Sequence, residues 1–134
     1  MRRNHATLNA QLARVISEVG HTDLIVVTDA GLPIPQQVER VDLALTEGVP
    51  AFLEVVDTIL AELEVEAATV PAEIAEKSPE MLDHLRSRLE PRGIPLTLIP
   101  HVEFKARTSE ARAAVRSGEF TPYANVLLQA GVVY

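Results

Sequence analysis

The chain has no cysteine. That excludes disulfides, thiolate nucleophiles and thiolate metal sites, and it fits a reducing compartment. Aromatic residues make up only 4% while apolar residues reach 47%, so the core has to be aliphatic, built from Leu, Val, Ile and Ala. No apolar run approaches the ~20 residues that a membrane span requires. The basic opening Met1-Arg2-Arg3-Asn4-His5 leads into no signal-peptide core, because His5, Thr7, Asn9 and Gln11 interrupt it. Positive charge is also scarce: 12 Lys and Arg against 19 Asp and Glu leave a net −7. Phosphate backbones and anionic lipids need clustered cations, so neither nucleic acid nor a membrane is an expected partner. The mixed series Glu103, Lys105, Arg107, Glu110, Arg112 and Arg116 reads as a solvated face. These exclusions point to a soluble cytoplasmic protein. Residues 1–134 read as one domain, long enough to bury roughly two-thirds of its unfolded surface.

What is present is an alternation of helical and strand patterns. Leu8, Leu12, Val15, Ile16 and Val19 recur at helical spacing, and Gly20 supplies a stop. Leu24 to Val27 is apolar on both faces, as in a strand covered on both sides. Gly31, Pro33 and Pro35 then break the chain before Val41, Leu43 and Leu45, which alternate like a strand. Phe52, Val55, Val56, Ile59, Leu60 and Leu63 mark a second amphipathic helix, and Val65 to Val70 a strand that ends at Pro71. The N-cap Ser78, with Pro79 and Glu80 behind it, predicts a third helix reaching to near Gly93. Leu96 to Ile99 is a further strand, stopped by Pro100. Ala113 to Val115 and Val126 to Leu128, joined across Ser117 to Pro122, predict a C-terminal hairpin with a long loop. The class is therefore α/β, in three layers, with a largely parallel sheet flanked by helices.

Motif chemistry is sparse. Histidines 5, 21, 84 and 101 lie far apart, and no i, i+4 pair encloses an acid, so no metal site is expected. There is no glycine-rich phosphate loop and no G-x-S-x-G elbow. What remains is acid/base and hydrogen-bonding chemistry on a polar neutral ligand, with His21, Asp29, His101, Lys105, Tyr123 and Asn125 as candidates. Asp29 follows the first strand at its C-terminal edge, where open α/β sheets bind ligands. It is also a favoured turn residue, and position alone does not separate the two roles. His101 and Lys105 are four apart and would share a helical face. Tyr123 and Asn125, two apart at the mouth of a strand, would point the same way. Each has an ordinary account by itself: a capping His, a solvated Lys, a Tyr at a core edge, a turn Asn.

The longer text adds to this. G-H-T-D-x-x-V-V-x-D-A-G-L-P-I-P at residues 20–35, then Asp42-Leu43-Ala44-Leu45-Thr46-Glu47-Gly48-Val49-Pro50, resembles the D-ribose pyranase family. So do His101-Val102-Glu103-Phe104-Lys105 and the run from Arg116 through Tyr123-Ala124-Asn125 to Val132. The resemblance extends from Leu8 to Tyr134 and is thin between Pro71 and Ile94. It implies a ribose pyranase-like fold and an enzyme that interconverts the pyranose and furanose forms of D-ribose without a cofactor. It implies also a cytoplasmic homo-oligomer, a decamer of two stacked pentamers, with sugar sites between subunits. By matching motif, His21 would be the catalytic proton donor. Asp29, His101 and the Tyr123-Ala124-Asn125 segment would hold the sugar, Ala124 through its backbone, with Lys105 a further contact. Fucose mutarotases share the fold and the early His and Asp, but Gly31-Leu32-Pro33-Ile34-Pro35 matches the ribose branch. A fucose-type mutarotase, or an idle sugar-binding oligomer, are the rival readings.

The residue types suit the chemistry. Imidazole exchanges protons near neutral pH, and ribose presents hydroxyls that Asp, Asn, Lys and Tyr can bond. One geometric expectation needs no family. A straight strand over residues 23–28, at ~3.3 Å per residue, separates its ends by roughly 20 Å. His21 and Asp29 of one chain would then be too far apart to grip one pentose, which favours a site shared between subunits.

Overall fold

The computed structural model describes Met1 and residues 6–134; positions 2–5, with His5 and most of the basic opening, lie outside the described residues. The expected central strand is β1 (Leu24–Thr28), buried at every position. Around it the sheet runs β2 (Glu39–Asp42), β5 (Ala113–Arg116), β1, β6 (Val126–Ala130), β3 (Val65–Pro71) and β4 (Leu96–Ile99). β6 is antiparallel to both its neighbours, and the other pairs are parallel. The largely parallel sheet is therefore as expected.

The C-terminal hairpin is not. β5 and β6 follow one another in sequence, but β1 lies between them, with Ile25 opposite Ala113 on one side and Leu128 on the other. A strand apolar on both faces gains most where both its edges are also paired. The connection from β5 to β6 instead crosses the C-terminal end of β1. Ser117 N–H donates to Thr28 O at 3.1 Å, and Ala30 N–H donates to Glu119 O at 2.8 Å. This crossing shapes the site described below.

Period-2 alternation sends Ile25 and Val27 to one face of the sheet and Leu24 and Val26 to the other. The first face carries the larger core. Four helices cover it: α1 (Ala10–Glu18), α2 (Phe52–Glu62), α3 (Ile74–Lys77) and α4 (Pro79–Leu89), through buried residues such as Leu12, Phe52, Ile59, Ile74 and Leu85. On the second face, among the described residues, lie α5 (His101–Thr108) and the loop after β1, which supply Phe104, Leu32 and Val38. The three layers are thus uneven. Phe104, an aromatic in the thin layer's core, is fully buried, so its truncation to Ala should cost about 3–5 kcal/mol.

Local signals account for the helix ends. Asn9 accepts from Leu12 N–H at 2.8 Å and starts α1. Gly93, at φ 69°, ends the 3-10 turn Glu90–Arg92 that continues α4, where a left-handed residue is needed. Ser78 precedes α4 as expected, but it does not cap it with its side chain. Its hydroxyl donates to Pro122 O at 2.7 Å and ties α4 to the crossing loop. The single-turn α3 has no sequence signature, because four residues are too few to display a helical period.

Candidate functional site

At the C-terminal end of β1 the chain leaves the sheet through Asp29. Its Oδ1 accepts from Gly31 N–H at 3.0 Å and from Leu32 N–H at 2.8 Å, which forms the turn. Its Oδ2 accepts from Asn125 Nδ2 at 3.2 Å, while Asn125 Oδ1 accepts from Asp29 N–H at 2.9 Å. The backbone donor fixes which end of the amide is which. Asp29 thus closes the turn, and it also stands in the wall of a cleft. Asn125 is only 1% exposed, so the bonds between the two residues are sheltered from water.

Tyr123 adopts φ 63°, a left-handed conformation that costs a non-glycine residue roughly 1–2 kcal/mol. From there its ring meets His101 edge to face, with centroids 5.1 Å apart and planes at 88°. His101 is the first residue of α5, and its backbone N–H is held by both carboxylate oxygens of Glu73, at 3.0 and 3.1 Å. That acid sits where the helix N-terminus favours negative charge. Nδ1 of His101 is buried without a hydrogen-bond partner.

These groups share a cleft of about 640 Å³, walled by Asp29, His101, Arg116, Phe120, Tyr123 and Asn125 among others. Arg116 departs from its reading as part of a solvated face. It is half-buried, donating from Nε to Ala30 O at 3.0 Å and from Nη1 to both Asp42 carboxylate oxygens at 3.2 Å. Glu119 was also missed as a site residue. Its Oε1 accepts from Phe52 N–H at 3.1 Å, at the start of α2, and its Oε2 accepts from the Thr121 hydroxyl at 2.8 Å. Gly118 before it is packed so tightly that a Cβ would lie 2.5 Å from Thr46 O and 2.6 Å from Val49 O. The one sequence signal for these residues is the family resemblance of the unbroken run from Arg116 to Asn125.

Three expected site residues stand outside the cleft. Ala124 is fully buried in the main core, and its N–H donates to Thr121 O at 3.3 Å. Lys105 is exposed on α5, one turn after His101, and is not in the cleft wall. His21 lies beyond the opposite end of β1, exposed, in a turn closed by Asp23 N–H donating to Gly20 O at 3.1 Å. There its Nε2 meets Glu66 Oε2 at 2.9 Å, and Gln129 Nε2 donates to Glu66 Oε1 at 2.7 Å. The Gln129 and His21 bonds hold the Glu66 carboxyl below its ordinary range. One chain thus carries two polar centres, one at each end of its central strand. Among the described residues no group of His, Asp and Glu is arranged to hold a metal ion, and no helix is long and apolar enough to cross a membrane.

Residues 2–133 match the model of the RbsD / FucU transport protein family. A D-ribose pyranase from Histophilus somni is 52% identical over 95% of this chain and 96% of its own length. One from Symbiobacterium thermophilum is also 52% identical, over 95% of each. Among solved structures, Bacillus subtilis RbsD complexed with D-ribose superposes with a TM-score of 0.94 at 41% identity, over 99% of this chain and 100% of that one. The fucose mutarotase of Streptococcus pneumoniae in complex with L-fucose gives a TM-score of 0.78 at 26% identity, over 95% of each chain.

Proposed function

Because the chain belongs to the RbsD / FucU family, we propose that it is a D-ribose pyranase, an isomerase that interconverts the pyranose and furanose forms of D-ribose by opening and reclosing the ring. The ribose branch is favoured over the fucose branch by the higher identity and closer superposition of the ribose-bound relative. The observation that carries the reading is the cleft wall itself. Asp29, Asn125, Tyr123 and His101 are hydrogen-bonding groups suited to a ligand that is all hydroxyls.

His21 acts as the acid/base. Its imidazolium passes a proton to the ring oxygen, the bond from the anomeric carbon to that oxygen breaks, and the anomeric hydroxyl gives its proton to Asp29 Oδ2. The open aldehyde then recloses through another hydroxyl, whose proton returns to His21 while the carbonyl oxygen regains one from Asp29. Protons balance and no electrons are transferred, so the reaction calls for no cofactor. A positioned acid/base of this kind contributes about 10²–10⁴-fold. His101, Tyr123 and Asn125 hold the sugar, Ala124 only through the backbone that joins the last two, with Lys105 a contact at the rim.

The site is completed by a second copy of the chain. Five buried residues of β1 separate His21 from Asp29, so a single chain cannot put both on one pentose. We assign His21 of one subunit to the cleft of its neighbour in a homo-oligomer, a decamer of two pentameric rings, acting in the cytoplasm.

Magnetisation-transfer NMR between ribose pyranose and furanose signals tests the function. Exchange accelerated by the protein and abolished by His21→Ala is the expected result. Unaccelerated exchange with saturable ribose binding would leave a binding module, and acceleration of fucose alone a fucose mutarotase. Sedimentation tests the assembly.

A further inference from the structure

Several features of the fold converge on the pair formed by Glu66 and His21. Glu66 lies where the pairing of β3 with β6 slips: Val65 faces Ala130 and Ala67 faces Gln129, so Glu66 is an extra residue with no partner. Such a bulge re-aims a side chain, and bulges gather beside active sites. Here the re-aimed carboxylate reaches His21 Nε2 at 2.9 Å. Its second oxygen is held at 2.7 Å by Gln129, the residue opposite the bulge. Gly131 leaves the room required, since a Cβ there would come within 3.1 Å of Glu66 Cβ and 3.5 Å of its Oε2. His21 in turn is presented by a turn in which Thr22 takes φ 72°, an outlying conformation for a β-branched residue. Thr22 N–H donates to Ala130 O at 2.9 Å, which pins that turn to the strand that also carries Gln129.

We infer that Glu66 is the positioning residue for His21: its carboxylate keeps one imidazole proton on Nε2, so the proton exchanged with the sugar travels through Nδ1. This rests on the assignment of His21 as the acid/base. Stability is a poor explanation of the pair, because both partners are substantially solvent-exposed and exposed ion pairs contribute little. Orientation is the better one. A carboxylate that accepts from one ring nitrogen fixes the tautomer and aims the other nitrogen. Glu66 stays anionic well below neutral pH, as its hydrogen bonds from Gln129 and His21 require, so it serves as an acceptor throughout the working range. In a transfer step the imidazolium releases its Nδ1 proton to the ring oxygen and is left as the neutral Nε2–H form. On reclosure Nδ1 takes a proton back, and the Nε2 proton never leaves.

The test uses the assembled full-length protein, 15N-labelled. Long-range 1H–15N correlation of the His21 ring should show the Nε2–H tautomer in the parent and a mixture in Glu66→Ala. Ribose exchange in Glu66→Ala should fall about 10–100-fold in kcat, with KM changed by less than about twofold. Glu66→Gln, whose amide oxygen can still accept from Nε2, should recover the tautomer and much of the rate. If Glu66→Ala fails to assemble, Gln129→Ala loosens the carboxylate without removing it and should lower kcat by a smaller factor at unchanged KM. An Nδ1–H tautomer in the parent protein, or an unchanged kcat when the carboxylate is removed or loosened, overturns the inference. His21→Ala separates the two claims: if it is inactive while the Glu66 variants keep full rate, only the role of Glu66 fails. If His21→Ala itself keeps full rate, the assignment of His21 fails.

Discussion

Replacing Asn125 by Ala or Asp tests how the cleft wall is held. Asn125 is 1% exposed and bonds Asp29 twice, accepting from its N–H and donating to its Oδ2. Ala removes both bonds and strands the Asp29 N–H, a loss of about 1–3 kcal/mol. At roughly 4 °C per kcal/mol for a chain of this size, Tm should fall by about 4–12 °C. Asp at 125 keeps the acceptor but sets a second carboxylate oxygen where the amide nitrogen now stands, 3.2 Å from Asp29 Oδ2. Two charges at that distance repel by about 5 kcal/mol at an effective dielectric of ~20, an upper figure because Asp29 is partly solvated. The pair escapes by sharing one proton, which rebuilds a donor between the two oxygens. The folded state then binds more protons than the unfolded one, so stability rises as pH falls. Urea unfolding at pH 7.5 should therefore rank parent above Asn125→Ala above Asn125→Asp. At pH 5 the gap between the two variants should close or invert, and ribose affinity should follow the same order. An Asn125→Asp protein as stable as Asn125→Ala at pH 7.5, or one insensitive to pH, would refute the reasoning.

Other outcomes follow from neighbouring groups. Gly118→Ala drives a methyl against backbone atoms of Thr46 and Val49, so we expect a loss of about 1–3 kcal/mol or more in denaturation and weaker ribose binding by calorimetry. Glu119→Ala removes the acceptor at the start of α2 and the anchor of Thr121; a loss of about 1–2 kcal/mol with raised KM is expected. Thr22→Gly relieves a left-handed strain of about 1–2 kcal/mol against a glycine cost of about 0.5–1 kcal/mol, so Tm should rise slightly while kcat falls. The Glu66 carboxyl is lowered first by Gln129 and then by His21, so its contribution is present above the ordinary carboxylate range and lost as pH falls through the lowered folded value. Urea midpoints of the parent and Gln129→Ala should accordingly differ at pH 7 and converge toward pH 3.

How much of this was legible in the sequence depends on how local each signal is. β1 was, because Leu24 to Val27 is apolar without interruption, and so were the first helix, expected over Leu8 to Val19 and found at Ala10–Glu18, the second helix and the Gly93 stop, which obey short-range rules. The order of strands was not. Sequence adjacency suggests pairing β5 with β6, whereas β1 enters between them on the strength of long-range burial. The bond between Asn125 and Asp29 joins residues 96 apart, and that between Glu66 and His21 residues 45 apart, so no local pattern announces either. Tyr123 and Asn125 do face one cleft, as their spacing suggested, yet Tyr123 reaches it through a left-handed backbone that the residue type argues against. Arg116 misled because a charge in a mixed series looks solvated until the loop that covers it is in place.

The reversed strand β6 has a consequence for mixed assemblies. It enters beside Asp29 with Asn125 and leaves beside His21 with Gln129, so a single strut braces both polar centres of the chain. If each subunit lends its two ends to two different sugars, a lesion at one end spoils only the sites that end serves. Chains carrying His21→Ala still offer a sound cleft, and chains carrying Asn125→Ala still offer a sound imidazole. Refolded together in equal amounts, the two variants should form sites that neither forms alone, with about one site in four drawing its cleft and its imidazole from the undamaged ends of different subunits.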